Sequence, residues 1–366
     1  MTKRNVPPRI LLLGNFLSEK RPGAFWVCES LAKAFKKVGW QVVTSSSRSN
    51  RFERLVDMVG AIFFHHRSYD IAIVEVYSGR AFRVAEILCV FLWMFKKTLV
   101  LTLHGGRLPE FAATNPRRVQ RLFSRAEIVT APSAWMCREM QPYLDNIVLI
   151  PNPIELDLYK TSRLPRVRPR LIWMRAFESF YCPEMGLEAL DRLRSQFPDI
   201  TLKLIGRDKG DGTLGRIRAM MIERGLSTSV QLIEGVSKDE VPKTLMEGDI
   251  FLNTSSVDNS PVCLLEALAS GLIVVSTRVG GIPDLIVDRE CGLLIAPGDV
   301  EAMVEAVRRL LLDEEFSNRL RKKGQEVVAG WGTRRVVEAW REILDSCSKS
   351  GSDCEAESLR VDTLNE

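Results

Sequence analysis

The sequence predicts an α/β protein made of two doubly wound domains, and three observations carry that reading. Short β-branched or leucine-rich runs alternate with helical patterns along almost the whole length, as βαβ units around parallel sheets require. The alternation pauses once, at a loop rich in proline and arginine over residues 161–169, and then restarts. A chain of 366 residues, 46% hydrophobic and 27% charged, supplies two domains of ordinary globular composition, which excludes a single small module and a disordered protein.

In the first half the strand candidates are 9–13, 41–44, 71–76, 98–103, 128–131 and 147–150, with helices between them. After the linker, a second domain begins near Pro165 with strands 171–174, 202–205, 230–233, 250–253 and 272–276. The stretch 331–344 places Val336, Val337, Trp340, Ile343 and Leu344 at helical spacing, and docking back on the first domain is one way to bury that stripe. The organisation expected is therefore a first domain over 1–163, joined by a terminal helix over 331–347, and a second domain over 164–330. Residues 348–366 are polar and aperiodic and read as a disordered tail.

The net charge is mild: 51 lysines and arginines against 46 acidic residues leave +5, which favours anionic partners without demanding a nucleic acid. Eight scattered cysteines form no C-x-x-C pair, and only three histidines accompany them, so neither a zinc site nor a disulfide framework is signalled. The apolar run after the basic start breaks at Gly14-Asn15 and is too short for a secretory signal, so a cytoplasmic compartment is expected. No D-x-D follows a strand, and no metal or other cofactor is expected. The apolar run 87–95 is too short to span a bilayer. Flanked by Arg80, Arg83, Lys96 and Lys97, it either lies on an anionic membrane surface or is a helix buried against the first sheet.

Two such sheets in tandem imply a cleft facing their carboxyl ends, so the chemistry belongs in loops that follow strands. The most informative loop is Asp258-Asn259-Ser260-Pro261-Val262-Cys263-Leu264-Leu265-Glu266, which ends a strand near Asn253 and starts a helix closed by Gly271. Pro261 suits the first helical turn, and the free N–H groups there, with the macrodipole, favour a phosphate or another anion. Glu266, inside that helix, can clamp the vicinal hydroxyls of a ribose, and Asp258 is placed for hydroxyls at the ligand's other end. Each residue also has a plain alternative: an exposed helical glutamate for Glu266, a helix cap for Asp258, an idle loop residue for His104 and a surface ion pair for Arg175.

This stretch, with Ala267-Leu268-Ala269-Ser270-Gly271, Gly280-Gly281-Ile282-Pro283-Asp284 and the segment from Cys291 to Asp299, resembles the carboxyl-terminal signature of the retaining glycosyltransferases of family 4, the glycosyl transferases group 1. Thr102-Leu103-His104-Gly105-Gly106, Ile150-Pro151-Asn152-Pro153 and Trp331 extend the resemblance over roughly residues 9 to 345. It implies the GT-B fold, two Rossmann-like domains with parallel sheets facing a central cleft. It also implies that Glu266 holds the nucleotide ribose, that Asp258 contacts the donor sugar and that Arg175 neutralises the diphosphate. Asn259, Ser260 and the amides of Val262, Cys263 and Leu264 complete the donor site. His104 would stand beside the donor sugar, and Gly14, Gly23 and Gly105 would form loops facing the acceptor or the phosphates.

The activity so implied is transfer of a hexosyl unit from a nucleotide-diphosphate sugar to a hydroxyl of a glycan or lipid-linked glycan. It would proceed with retention and without a metal, the departing phosphate taking the acceptor's proton, as in polysaccharide assembly beside the inner face of the membrane. Two departures from the family pattern stand out. Residues 178–186 lack the lysine that normally joins the arginine, leaving Lys209 or Arg207 to supply charge, and position 258 is aspartate rather than glutamate. A catalytically silent nucleotide-binding module and a nucleotide-sugar epimerase remain alternatives. A nicotinamide-dependent oxidoreductase would need a G-x-G-x-x-G turn that the chain lacks at Gly14.

Overall fold

The computed structural model describes residues 7–18, 26–159 and 166–349. Gly23, most of the linker (160–165) and the tail from residue 350 lie outside the described residues. Two six-stranded sheets, parallel throughout, form the frame. The first contains β1 (Arg9–Leu13), β2 (Gln41–Ser45), β3 (Ile71–Val76), β4 (Thr98–Leu103), β5 (Ile128–Ala131) and β6 (Ile147–Leu149), in the order β2-β1-β3-β4-β5-β6. The second contains β7 (Arg170–Met174), β8 (Thr201–Ile205), β9 (Val230–Ile233), β10 (Ile250–Asn253), β11 (Ile273–Thr277) and β12 (Leu293–Ile295), in the order β12-β11-β10-β7-β8-β9.

These strands read as continuous apolar runs because helices cover both faces of each sheet. Leu11, Leu13, Val74 and Leu101 point to one side of the first sheet, where the helices Arg51–Phe64 and Arg80–Met94 pack. Their neighbours Ile10, Leu12, Ile73 and Val100 point to the other, beneath the helices Val27–Lys37 and Thr333–Lys349. The two-residue alternation of side chains along a strand produces both cores from one run.

Strand β12 is absent from the sequence reading because three residues between Gly292 and Pro297 carry too little pattern to register as a strand. The terminal helix starts at Thr333 and continues through Lys349, so residues 348 and 349 belong to it rather than to a tail. It docks on the first domain, with the Trp340 ring edge-on to Phe35 at 5.7 Å between centroids. Trp331 lies ahead of the helix and packs on the second domain's core, where Gly332 pairs with Ile154. The helix Arg80–Met94 is not enclosed by the sheet: Phe82, Ala85, Leu88, Cys89 and Leu92 are buried, whereas Ile87, Val90, Trp93 and Met94 are exposed.

Each sheet has one point where the chain, having laid strands to one side, returns to lay them on the other: between β1 and β3, and between β7 and β10. Ligands of such sheets bind in the crevice outside the strand ends at that reversal. Trp340 is the anchor that ties the terminal helix to the first domain. Trp340→Ala is expected to destabilise that domain by about 3–5 kcal/mol, read as a lower urea midpoint with the second domain's midpoint unchanged.

Candidate functional site

Both reversals open on one cleft of about 340 Å³ between the domains. From the second domain it is lined by Arg175, after β7, by Arg207 and Lys209, after β8, by Lys238 and by Asp258 to Cys263 and Glu266. From the first it receives Tyr77, His104, Gly105 and Asn152. The structure thus gathers His104, Arg175, Asp258, Asn259, Ser260, Val262, Cys263, Glu266 and Gly105 around one space. Leu264 does not reach it: its side chain is fully buried, and its amide donates to the Pro261 carbonyl at 3.1 Å. The helix Val262–Ala269 therefore presents Val262 and Cys263 at its open end, with Pro261 preceding it rather than forming its first turn.

The loop before that helix is held by side chains of its own sheet. Trp173 Nε1 donates to Thr254 Oγ1 (2.8 Å), Thr254 Oγ1 to the Tyr181 carbonyl (2.6 Å) and Thr277 Oγ1 to the Ser255 carbonyl (2.6 Å). Asp258 is not the cap of the helix. Its Oδ2 accepts from Arg175 Nη2 at 2.6 Å and from Ser255 Oγ at 3.3 Å, and its Oδ1 accepts from the Asn259 amide at 2.9 Å. Arg175 is thus in an ion pair, but a largely buried one inside the cleft rather than a surface one. Its guanidinium lies 4.1 Å from the Tyr181 ring centroid. Burial opposes the Arg175 charge, but Asp258, Tyr181 and Cys263 more than offset it, so the group is held firmly protonated.

Glu266 is buried, not exposed as an ordinary helical glutamate would be, and Tyr159 Oη donates to its Oε1 at 2.9 Å. Burial pushes its pKa up to about 7, while Tyr159, Lys238 and Arg175 pull in the opposite direction. Four buried polar atoms on cleft-lining residues have no partner among the described residues: Trp26 Nε1 on the first domain's side, and Arg175 Nε, Asn259 Nδ2 and Ser260 Oγ on the second's. Orphaned donors of this kind mark a place where a polar ligand completes the bonding.

On the facing wall His104 is nearly buried, its ring stacked on Tyr77 with centroids 5.3 Å apart. Burial lowers its pKa to about 4, so the imidazole is neutral at physiological pH. Its Nε2 lies 3.6 Å from Glu75 Oε1, a buried carboxyl whose pKa burial raises to about 7. Gly14 sits beneath the cleft rather than in its wall: a Cβ there would stand 2.6 Å from Glu75 Oε2 and 2.9 Å from Cys28 Sγ. Gly105 adopts φ +81°, a conformation that favours glycine. A Cβ on Gly106 would stand 2.9 Å from Val257 Cγ2, so what that glycine admits is the second domain's loop.

The sequence reading overlooked Glu75, Tyr159, Tyr181 and Lys238. Glu75 had a visible signal, one acid inside the apolar run Ile71-Ala72-Ile73-Val74-Glu75-Val76. Tyr159 and Lys238 had none, because each reaches Glu266 from a turn remote in sequence, and Tyr181, though close to Arg175 along the chain, carried no pattern that marked it. Of the cations weighed as replacements for the missing lysine, Arg207 and Lys209 both line the cleft. Phe177 bridges Asp208, and the Lys209 amide donates to the Phe177 carbonyl at 3.2 Å, which lays 207–209 beside the segment that follows Arg175. Among the described residues no cluster of histidine, cysteine or acidic side chains can hold a metal ion.

The raised Glu266 pKa has a thermodynamic consequence. A carboxyl with a higher pKa when folded stabilises the fold fully below its ordinary value of 4.5, and that contribution is lost as pH rises through about 7. Glu266→Gln removes this loss. Denaturant unfolding between about pH 5 and about pH 8 should find the wild type losing ground to the variant by about 1.4 kcal/mol per pH unit at most; a constant difference would contradict the burial argument.

Residues 164–327 match the family model described as glycosyl transferases group 1. Among curated proteins the chain is 29% identical over 206 residues to MMP alpha-(1->4)-mannosyltransferase of Mycolicibacterium hassiacum, covering 54% of this chain and 46% of that protein. It is 32% identical over 146 residues to sulfoquinovosyl transferase SQD2 of Arabidopsis thaliana, covering 39% of this chain and 27% of that one. The chain spans less than half the length of these curated relatives. Sucrose-phosphate synthase from Thermosynechococcus elongatus superposes with a TM-score of 0.76 at 17% identity, over 95% of this chain and 100% of that one. Its match with a parallel two-sheet chain establishes the GT-B architecture, and residues 164–327 belong to the glycosyl transferases group 1.

Proposed function

We propose that the protein is a retaining glycosyltransferase of family 4, of the hexosyltransferase type, moving a sugar from a nucleotide diphosphate to an acceptor hydroxyl. The observation that carries this reading is the set of unpartnered donors on Arg175, Asn259 and Ser260, gathered with a buried carboxyl, Glu266, at a helix N-terminus in the cleft. A nucleotide diphosphate sugar matches that set: anionic at the phosphates, rich in hydroxyls at both ends. The mannosyltransferase relative and the Anabaena HepE structure in complex with UDP-glucose, at 18% identity, agree with it by name.

In this reading Glu266 accepts from the ribose hydroxyls, with Tyr159 holding the carboxyl in place. Asp258 grips Arg175 through Nη2 and leaves Nε to the departing phosphate. Lys209 takes the part of the absent lysine, supported by its position beside the segment after Arg175. The acceptor hydroxyl approaches from the first domain, beside neutral His104. Its oxygen bonds to the anomeric carbon on the face the phosphate leaves, the carbon–phosphate-oxygen bond breaks, and the departing phosphate takes the hydroxyl proton. Arg175, Lys209 and the amides of Val262 and Cys263 stabilise the charge that develops, so the reaction asks for neither a metal nor another cofactor. The acceptor class we favour is a glycan or lipid-linked glycan in polysaccharide assembly, reached from the cytoplasmic face of a membrane.

Calorimetry with a panel of nucleotide diphosphates and their sugars tests the donor site. Binding of one member is expected, weakened about 10- to 100-fold in Glu266→Ala through loss of charge-assisted hydrogen bonds. Binding by no member would overturn the reading. With the donor so identified, Arg175→Ala is expected to lower kcat about 100- to 1,000-fold in an acceptor-dependent transfer assay. Binding without turnover in the wild type would instead mark a silent nucleotide-binding module, and conversion of the donor without acceptor an epimerase.

A further inference from the structure

The helices Arg51–Phe64 and Arg80–Met94 lie side by side on the outer face of the first sheet, joined by Phe63, whose ring meets Phe91 at 5.6 Å and Phe95 at 5.1 Å. Each buries one stripe, through Met58 and Ile62 in the first and Phe82, Ala85, Leu88, Cys89 and Leu92 in the second. Each carries a second apolar stripe on its outer side. Phe52, Val56 and Phe63 follow one another at helical spacing, with Phe64 beside them, and Ile87, Val90 and Met94 do the same on the neighbouring helix. Phe64 is 87% exposed, Phe52 74%, Trp93 71% and Met94 61%. Single exposed apolar residues are ordinary, but two adjoining stripes form a patch that calls for a partner.

The charges around it say which partner. Arg51, Arg80 and Arg83 stand at the N-terminal ends of the two helices, and Arg67 and Lys96 beyond the C-terminal ends; none forms an ion pair with a described residue. Of the nearby acids, Glu86 pairs with Arg118, Asp70 with Arg9, and Asp57 accepts from Ser45; the exception is Glu53, exposed in the first turn beside Phe52. An apolar face with aromatic residues and a cationic border fits an anionic lipid surface, where rings and methylenes enter the acyl boundary and arginines meet phosphates. A second copy of the chain would set these cations against one another.

We propose that the outer face of these two helices is a peripheral docking surface for anionic membranes. It gives the membrane contact in the reading above a defined place, and it stands on surface chemistry rather than on donor binding. No helix among the described residues is long and apolar enough to cross a membrane, so the contact is interfacial.

Co-sedimentation with vesicles tests it, with no nucleotide sugar present, so that failure here is separate from failure of the transferase reading. The full chain is expected to sediment with phosphatidylcholine vesicles containing about a third phosphatidylglycerol and to stay in solution with phosphatidylcholine alone, the bound fraction falling as salt rises. The double substitution Val90→Asp with Met94→Asp should weaken binding at least about tenfold, as should Arg83→Glu with Lys96→Glu. Circular dichroism and nucleotide binding check that each variant remains folded, and a variant that does not is replaced by Phe64→Ser with Trp93→Ser. Absence of binding to the anionic vesicles would overturn the proposal, as would binding indifferent to all these substitutions. It would fall equally if sedimentation equilibrium found a dimer that the same substitutions dissociate.

Discussion

The main chain at Asp258 runs through a gap between two glycines, one from each domain. On one side a Cβ at Gly106 of the first domain would stand 3.0 Å from the Asp258 carbonyl carbon; on the other a Cβ at Gly280 would overlap its carbonyl oxygen at 1.8 Å. Gly281 is similarly tight against the Asn259 carbonyl and the Ser133 side chain. The loop is thereby fixed against both domains at once. Ser133 Oγ to Asn259 Oδ1 at 2.5 Å and Asn152 Nδ2 to the Ser260 carbonyl at 2.9 Å extend the same junction. Every polar group that faces the cleft from residues 258–263 takes its position from this confinement, and so does the distance from the helix N-terminus to the first domain's wall.

Electrostatics divides along the same seam. The second domain brings the cations, Arg175, Arg207, Lys209 and Lys238, and three carboxyls, Glu178, Asp258 and Glu266. The first brings aromatic and neutral groups, with Glu75 buried behind His104. Burial dominates the titration of both Glu75 and Glu266, lifting each to about 7, yet their surroundings differ. Glu266 has Lys238 and Arg175 within electrostatic reach, whereas Glu75 has only hydrogen-bond donors, among them Asn15, Cys28 and Tyr77. A ligand with negative charge at its centre fits the second wall and an uncharged one the first, in keeping with the donor and acceptor sides proposed above.

The apolar face on the helices Arg51–Phe64 and Arg80–Met94 covers the first sheet on the side opposite the terminal helix. The described side chains of the terminal helix leave no comparable patch, because Val336, Val337, Trp340, Ile343 and Leu344 all enter the core with Phe35 and Trp40. The two sides of one sheet are thus finished differently, one closed by the helix Thr333–Lys349 and one left with an apolar, cation-bordered surface.

Much of this was written in the sequence. Strand runs at β1 to β11 are legible because a parallel sheet covered on both faces selects uninterrupted apolar residues, and the helix after Pro261 is legible from its turn chemistry. Asp258 and Glu266 could be singled out because they lie in the loop and helix that follow a strand, where such sheets place their ligands, and Arg175 and His104 because the stretches around them resemble the family's pattern. What only the tertiary structure decided is how those loops meet. Spacing along the chain cannot tell that Tyr159 bonds Glu266 across 107 positions, that Gly106 accommodates a protein loop, or that Leu264 turns into the core. Nor can helical periodicity alone tell a stripe that is buried from one left exposed, as Ile87, Val90 and Met94 are. Local pattern fixes which face of an element is apolar; only the packing of distant segments determines what, if anything, covers it.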